Sequence, residues 1–220
     1  MKAAREELDT AIVFHEVWKP TAYDRKLHER VGRSYAAQAF KIVRTSLRRE
    51  MLMALLRLWD TSPKAVRISR IASFILKPEV LKTLAKERAA KFEDFEVERQ
   101  MRNELESLAK QIGELARKYS NDGPHFETLR KLRIFRNEHF AHRQVERSVD
   151  LSLSEMDREV EAFYLDSSKI VRLLLSVVSA TAYDSNQTAD VFGFYADNFW
   201  AGVCGEANEG HPNFRQNQPE

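Results

Sequence analysis

A chain of 220 residues with 43% hydrophobic content can bury a sizeable core, and a formal net charge of +2 excludes the strongly basic footprint of a general nucleic-acid binder. One cysteine, Cys204, excludes an internal disulfide and points to a reducing compartment. Glycine and proline are sparse and the apolar positions recur at helical spacing, which predicts an all-α protein.

The expected organisation is a helical domain over residues 1–201 and a flexible tail over 202–220, where the composition turns to Gly, Asn, Gln and Pro. The N-terminus is charged early and carries no secretory signal pattern. The longest apolar region, near Leu173 to Ala182, is too interrupted to span a bilayer. A cytoplasmic location with no membrane association is therefore expected.

In chain order, Arg5 to Lys19 predicts a first helix that Pro20 stops, with His15 as a partly buried structural histidine. A longer helix follows from Asp24 or Leu27 to Trp59, softened at Gly32. Its stripe of Phe40, Val43, Leu47, Met51, Ala54, Leu55 and Leu58 is core, and Lys41, Arg44, Arg48 and Arg49 lie on other faces. Asp60-Thr61-Ser62-Pro63 ends it.

Ser69 to Leu76 reads as a short helix, and Lys77-Pro78-Glu79 as a restart with proline in the first turn. The pattern then runs helical to Tyr119. The apolar phase slips between Phe95 and Met101, so a bend, break or hairpin is expected near Glu96 to Gln100.

Asn121-Asp122-Gly123-Pro124 breaks the chain. The next helix carries Phe126, Leu129, Leu132 and Phe135 inward, Gln144 to Leu153 reads as a loop, and Ser154 opens a helix to about Tyr183 that should be the most buried. Val191 to Trp200, rich in aromatics, is expected to close the core, with a partner-binding patch as the other reading.

The densest chemistry lies at Leu132-Arg133-Ile134-Phe135-Arg136-Asn137-Glu138-His139-Phe140-Ala141-His142-Arg143. From Arg117 to Arg147 there are eight Lys or Arg residues against four acids, a local charge of +4. Five residues separate Arg136 from His142, which on an ideal helix places them about 120° apart and roughly 9 Å along the axis. Phe135, His139 and His142 share a face instead. The residues alone leave two readings open: an active site, or a packed interface with Arg133, Arg136 and Arg143 solvated.

This passage resembles the signature of the HEPN superfamily, in which an arginine and a polar residue precede a histidine by a short spacer. Upstream, Leu55-Leu56-Arg57-Leu58-Trp59-Asp60 with Val66-Arg67-Ile68-Ser69-Arg70-Ile71 resembles the AbiU2-like abortive-infection branch, and the likeness extends over Leu27 to Ala182. The resemblance implies an antiparallel helical bundle with a long charged helix or hairpin, dimerised so that two motifs meet. Many members are metal-independent endoribonucleases acting as toxins or phage-defence effectors. It assigns catalysis to Arg136 and His142 with Asn137 at the polar position. His139 is a supporting candidate on its position alone, and Arg130, Lys131, Arg133 and Arg143 are candidates to guide RNA.

The chemistry fits those residue types. RNA carries its own nucleophile, the 2'-hydroxyl, so cleavage needs a proton acceptor, a proton donor and positive charge on the phosphate. Histidine titrates near neutral pH and arginine offers a charged planar fork. One motif supplies one matched histidine while acid and base are two jobs, which a two-fold homodimer resolves.

No cofactor and no metal are expected, because the His139–His142 spacing fits neither a zinc-protease helix nor a di-iron bundle. The alternative is a catalytically silent binding module, or a toxin subunit held by a nucleotidyltransferase-type antitoxin. Control through a tyrosine two residues beyond the histidine is not expected, since Gln144 stands there.

Overall fold

The computed structural model describes residues 1–32, 34–62, 64, 65, 67–90, 92, 95–137 and 156–205. Among them the chain forms nine helices: α1 (Lys2–Tyr23), α2 (Arg25–Val31), α3 (Ala36–Leu58), α4 (Ile68–Ile75), α5 (Pro78–Ala89), α6 (Phe95–Lys118), α7 (Phe126–Phe135), α8 (Asp157–Ser179) and α9 (Ser185–Ala201). The extended element among the described residues is an isolated antiparallel bridge between Trp59 and Arg67. No described helix is long and apolar enough to cross a membrane.

The helices divide into two compact units, one of Met1–Leu8 with Met53–Asp184, the other of Asp9–Leu52 with the chain from Ser185 onward. In the first, α4, α5 and α8 pack on α6. Its core is the apolar stripe of each helix: Leu81, Ala85 and Ala89 from α5, Leu105, Ala109, Ile112 and Leu115 from α6, and Val160, Phe163, Ile170, Val171 and Leu174 from α8. Pro78 opens α5 at its first position, as its missing N–H allows. The break before α6 comes earlier than expected, after Ala89. The Phe92 N–H closes onto the Ala89 carbonyl at 2.8 Å, and Glu96 and Glu98 fall in the first turn of α6, where the helix dipole favours acids.

Helix α8 ends at Ser179, short of Tyr183, because Ala180 is left-handed at φ 49°, and Val178 in its last turn is exposed. Its N-cap is Met156, which supplies no capping side chain, and Ser154 lies outside the described residues. A Cβ in the left-handed region is strained. Ala180→Gly is therefore expected to stabilise the protein by about 0.5–1 kcal/mol, read as a raised urea midpoint at unchanged slope.

In the second unit, Leu27, Val31, Ala196 and Trp200 form the core with Phe40 edge-on to Trp200 at 5.7 Å. Pro20 does not stop α1: it lies inside the helix, where the Thr21 hydroxyl donates to the Trp18 carbonyl at 2.6 Å and burial of Trp18 and Thr21 holds the turn. The long second helix is instead two. Gly32, at φ 53° and ψ −148°, adopts a conformation that favours glycine and separates α2 from α3.

Arg48 is not on a solvated face. It is buried with its guanidinium 5.6 Å from the centre of the Trp18 ring, so its charge lies over the indole face. His15 is buried against Glu16, Nδ1 to Oε1 2.8 Å. Val43 is exposed, as are Val191, Phe194, Tyr195 and Phe199 on α9, which buries only Ser185, Ala196 and Trp200. Beyond Gly202 the described chain runs on to Gly205, whose N–H donates to the Arg30 carbonyl at 2.7 Å in a space that Val31 and Ser34 leave too small for a Cβ.

Candidate functional site

The central stretch begins on α7, whose buried Leu129, Leu132 and Phe135 anchor it to the first unit's core. That spacing turns Arg133 and Arg136 toward a second segment, the turn that follows α3. Past Phe135 the helix widens into a π-type turn at Arg136 and Asn137.

The turn after α3 is built by Trp59. Its indole N–H donates to the Ser167 hydroxyl at 2.9 Å, and its ring packs against Tyr119 and Phe163 at 4.9 and 6.0 Å. Its backbone pairs with Arg67, and Arg67 in turn donates to the Thr61 carbonyl at 3.3 Å. Asp60 then accepts the Ser62 N–H on Oδ1 at 2.9 Å, an Asx-type turn that aims the carboxylate.

Two arginines of α7 meet this turn. Arg133 is half-buried and donates from Nη2 to the Trp59 carbonyl at 2.6 Å. Arg136 presents Nη1 to Asp60 Oδ2 at 3.7 Å, and its Nε donates to the Asn137 side-chain oxygen at 3.0 Å. The Ser62 N–H holds the Asp60 carboxyl below the usual aspartate range, helped by the Thr61 N–H, Arg136 and Arg133 and opposed by partial burial. Burial, and then the neighbouring Arg136 cation, push the Arg133 guanidinium down, with Asp60 opposing. The site is thus a pair of adjacent guanidiniums with one counter-carboxylate, which stays ionised at neutral pH.

The other site candidates are placed as follows. Arg130, exposed, pairs with Glu127 one turn back, Nη2 to Oε2 2.8 Å, and Lys131 is exposed. Arg133 is directed at the Trp59 carbonyl rather than outward. Asn137 is exposed beside Arg136. His139, His142 and Arg143 lie outside the described residues, as does the segment expected to loop from Gln144 to Leu153. From the upstream passage, Arg57 turns to Glu7 and donates to both carboxylate oxygens at 2.8 Å.

Asp60 and Trp59 are what motif reading does not assign a role. Both stand in the upstream passage that resembles the abortive-infection branch, and that is the available signal. Nothing in one sequence ties position 60 to position 136. Among the described residues no group of three or more His, Cys, Asp or Glu side chains is placed to hold a metal ion.

Comparison with known proteins adds one finding. The HEPN-class family model described as AbiU2 matches residues 1–199, which include both the turn after α3 and the whole central stretch. No curated protein and no solved structure matches the chain.

Proposed function

Because the chain belongs to the AbiU2 abortive-infection family of HEPN proteins, we propose that it is a metal-independent endoribonuclease whose active site is completed by two copies of the motif in a homodimer. The observation that carries the reading is the pair of adjacent guanidiniums at the C-terminal end of α7, with Arg136 leading directly into Asn137 and the segment that bears His142. Arg136 supplies charge to the phosphate as negative charge builds on it. His142 of one protomer takes the proton of the 2'-hydroxyl while its copy protonates the leaving 5'-oxygen, giving a 2',3'-cyclic phosphate and a free 5'-hydroxyl.

His139, three residues before His142 in the sequence, is the supporting candidate, and Lys131, Arg130 and Arg143 steer the backbone. Single-stranded or looped RNA is the favoured substrate class, because its backbone can adopt the in-line geometry that a duplex resists. The acting partners under this reading are RNA and a second copy of the chain, with a neutralising antitoxin protein a third.

The test is incubation of the purified protein with single-stranded RNA in EDTA, with the product ends identified by mass spectrometry. Cyclic-phosphate ends are expected, together with no cleavage of the same strand carrying a 2'-deoxy sugar at the cut. Intact RNA, or cleavage of the deoxy strand, would overturn the proposal and leave the silent binding module as the better account.

A further inference from the structure

We infer that Asp60 is the positioning residue for Arg136: its carboxylate, fixed by the turn after α3, sets the plane and direction in which that guanidinium is presented to a phosphate. The inference deepens the nuclease reading above and rests on it for the phosphate. The Asp60–Arg136 geometry stands without it.

A guanidinium is a rigid plane with five N–H donors, so one hydrogen bond together with a nearby counter-charge restricts its orientation. Arg136 has both: Nε donates to the Asn137 oxygen at 3.0 Å and Nη1 faces Asp60 at 3.7 Å. The remaining donors on the Nη2 side are the ones a phosphate would meet. At 3.7 Å the carboxylate lies beyond direct hydrogen-bonding distance, so it attracts Arg136 without consuming the donors.

A counter-charge is needed here because Arg133 carries a second cation beside Arg136, and like charges this close repel. Arg133 cannot swing away, being held on the Trp59 carbonyl at 2.6 Å. Without Asp60, Arg136 is the side chain left to move. Asp60 is also well supported for such a task. Its Oδ1 is tied to the Ser62 N–H, the following carbonyl is tied to Arg67, and the preceding residue is the buried Trp59.

The test compares Asp60→Asn with Asp60→Glu. Asparagine keeps an oxygen for the Ser62 N–H, so the turn is retained while the charge is lost. The first readout is the Nε–H resonance of Arg136 by nuclear magnetic resonance, assigned by its loss in Arg136→Lys. Faster exchange with water is expected in Asp60→Asn, restored toward wild type in Asp60→Glu.

The second readout is RNA cleavage. Asp60→Asn should lower kcat by roughly ten- to a hundredfold with KM unchanged or lower, since a negative charge beside the phosphate has gone. An unchanged Arg136 resonance, an unchanged kcat, or a raised kcat would overturn the inference. Failure of the wild type to cleave RNA would sink the nuclease reading alone, and the resonance would still decide whether Asp60 orients Arg136.

Discussion

His142→Ala is expected to cleave RNA on the order of a hundred- to ten-thousandfold more slowly than the wild type, with binding of a non-cleavable 2'-deoxy strand little changed. The range is that of losing a positioned general acid or base. In a two-fold site the substitution removes both, which places the expectation toward the larger loss. Arg136→Ala should fall by about a hundred- to a thousandfold, the usual consequence of removing one donor aimed at developing negative charge.

The two variants differ in how they fail. Under the proposed mechanism, loss of the histidine removes proton transfer, so the residual rate should lose its dependence on pH near neutrality. Loss of the arginine should keep that dependence and lower the rate throughout, because a guanidinium remains protonated across the range. Profiles of single-turnover rate against pH measure both at once. Equal residual rates with the same profile would argue against separate roles.

The largest effect on stability is expected at Trp59. Trp59→Ala removes a buried indole that packs on Tyr119 and Phe163 and donates to the buried Ser167 hydroxyl. Truncation of a buried aromatic costs about 3–5 kcal/mol, against a total stability of roughly 5–15 kcal/mol. Thermal unfolding should shift down by roughly 10 °C for a chain of this length. Trp59→Phe keeps most of the packing and loses the donor, and should cost only about 1–2 kcal/mol. Because Trp59 also carries the carbonyl that Arg133 holds and precedes Asp60, the alanine variant should lose activity even where it remains folded. A calorimetric midpoint within a degree or two of wild type would contradict the anchoring role.

Much of the architecture was legible in the pattern of apolar residues. The Lys77-Pro78-Glu79 restart, the break at Asn121 to Pro124 and the inward face of α7 follow from local chemistry, and the structure has them where that chemistry puts them. Expectations failed where tertiary contacts outweighed a local rule. Pro20 reads as a helix stop, yet it sits inside α1, where buried Trp18 and Thr21 secure the turn. Arg48 reads as lying off the apolar stripe, yet it is buried with its guanidinium over the Trp18 indole. The outward aromatics of α9 read as core because hydropathy cannot tell which face of a helix has neighbours.

The site was legible to a different degree. Arg136 and Asn137 stand out because the central stretch resembles the HEPN signature, and in the structure the Arg136 Nε donates to the Asn137 side-chain oxygen. Asp60 belongs to the same cluster only because α3 ends where it does and because Trp59 plugs the core beside α8. A contact between residues so far apart in sequence leaves no trace in a local pattern. The same holds for Arg133, which composition groups with the RNA-guiding cations and which the structure turns onto a backbone carbonyl.

The shared pocket is the claim on which the functional account depends, and inter-protomer cross-linking at position 142 tests it most directly. With Cys204 replaced by serine, His142→Cys carries a single thiol per chain, so any disulfide must join two copies. Mild oxidation is expected to give a dimer that resists denaturation without reductant, formed faster than random collision allows and blocked by prior addition of a 2'-deoxy strand. A chain that stays monomeric under the same oxidation, and sediments as a monomer at the concentrations where the wild type cleaves RNA, would contradict it.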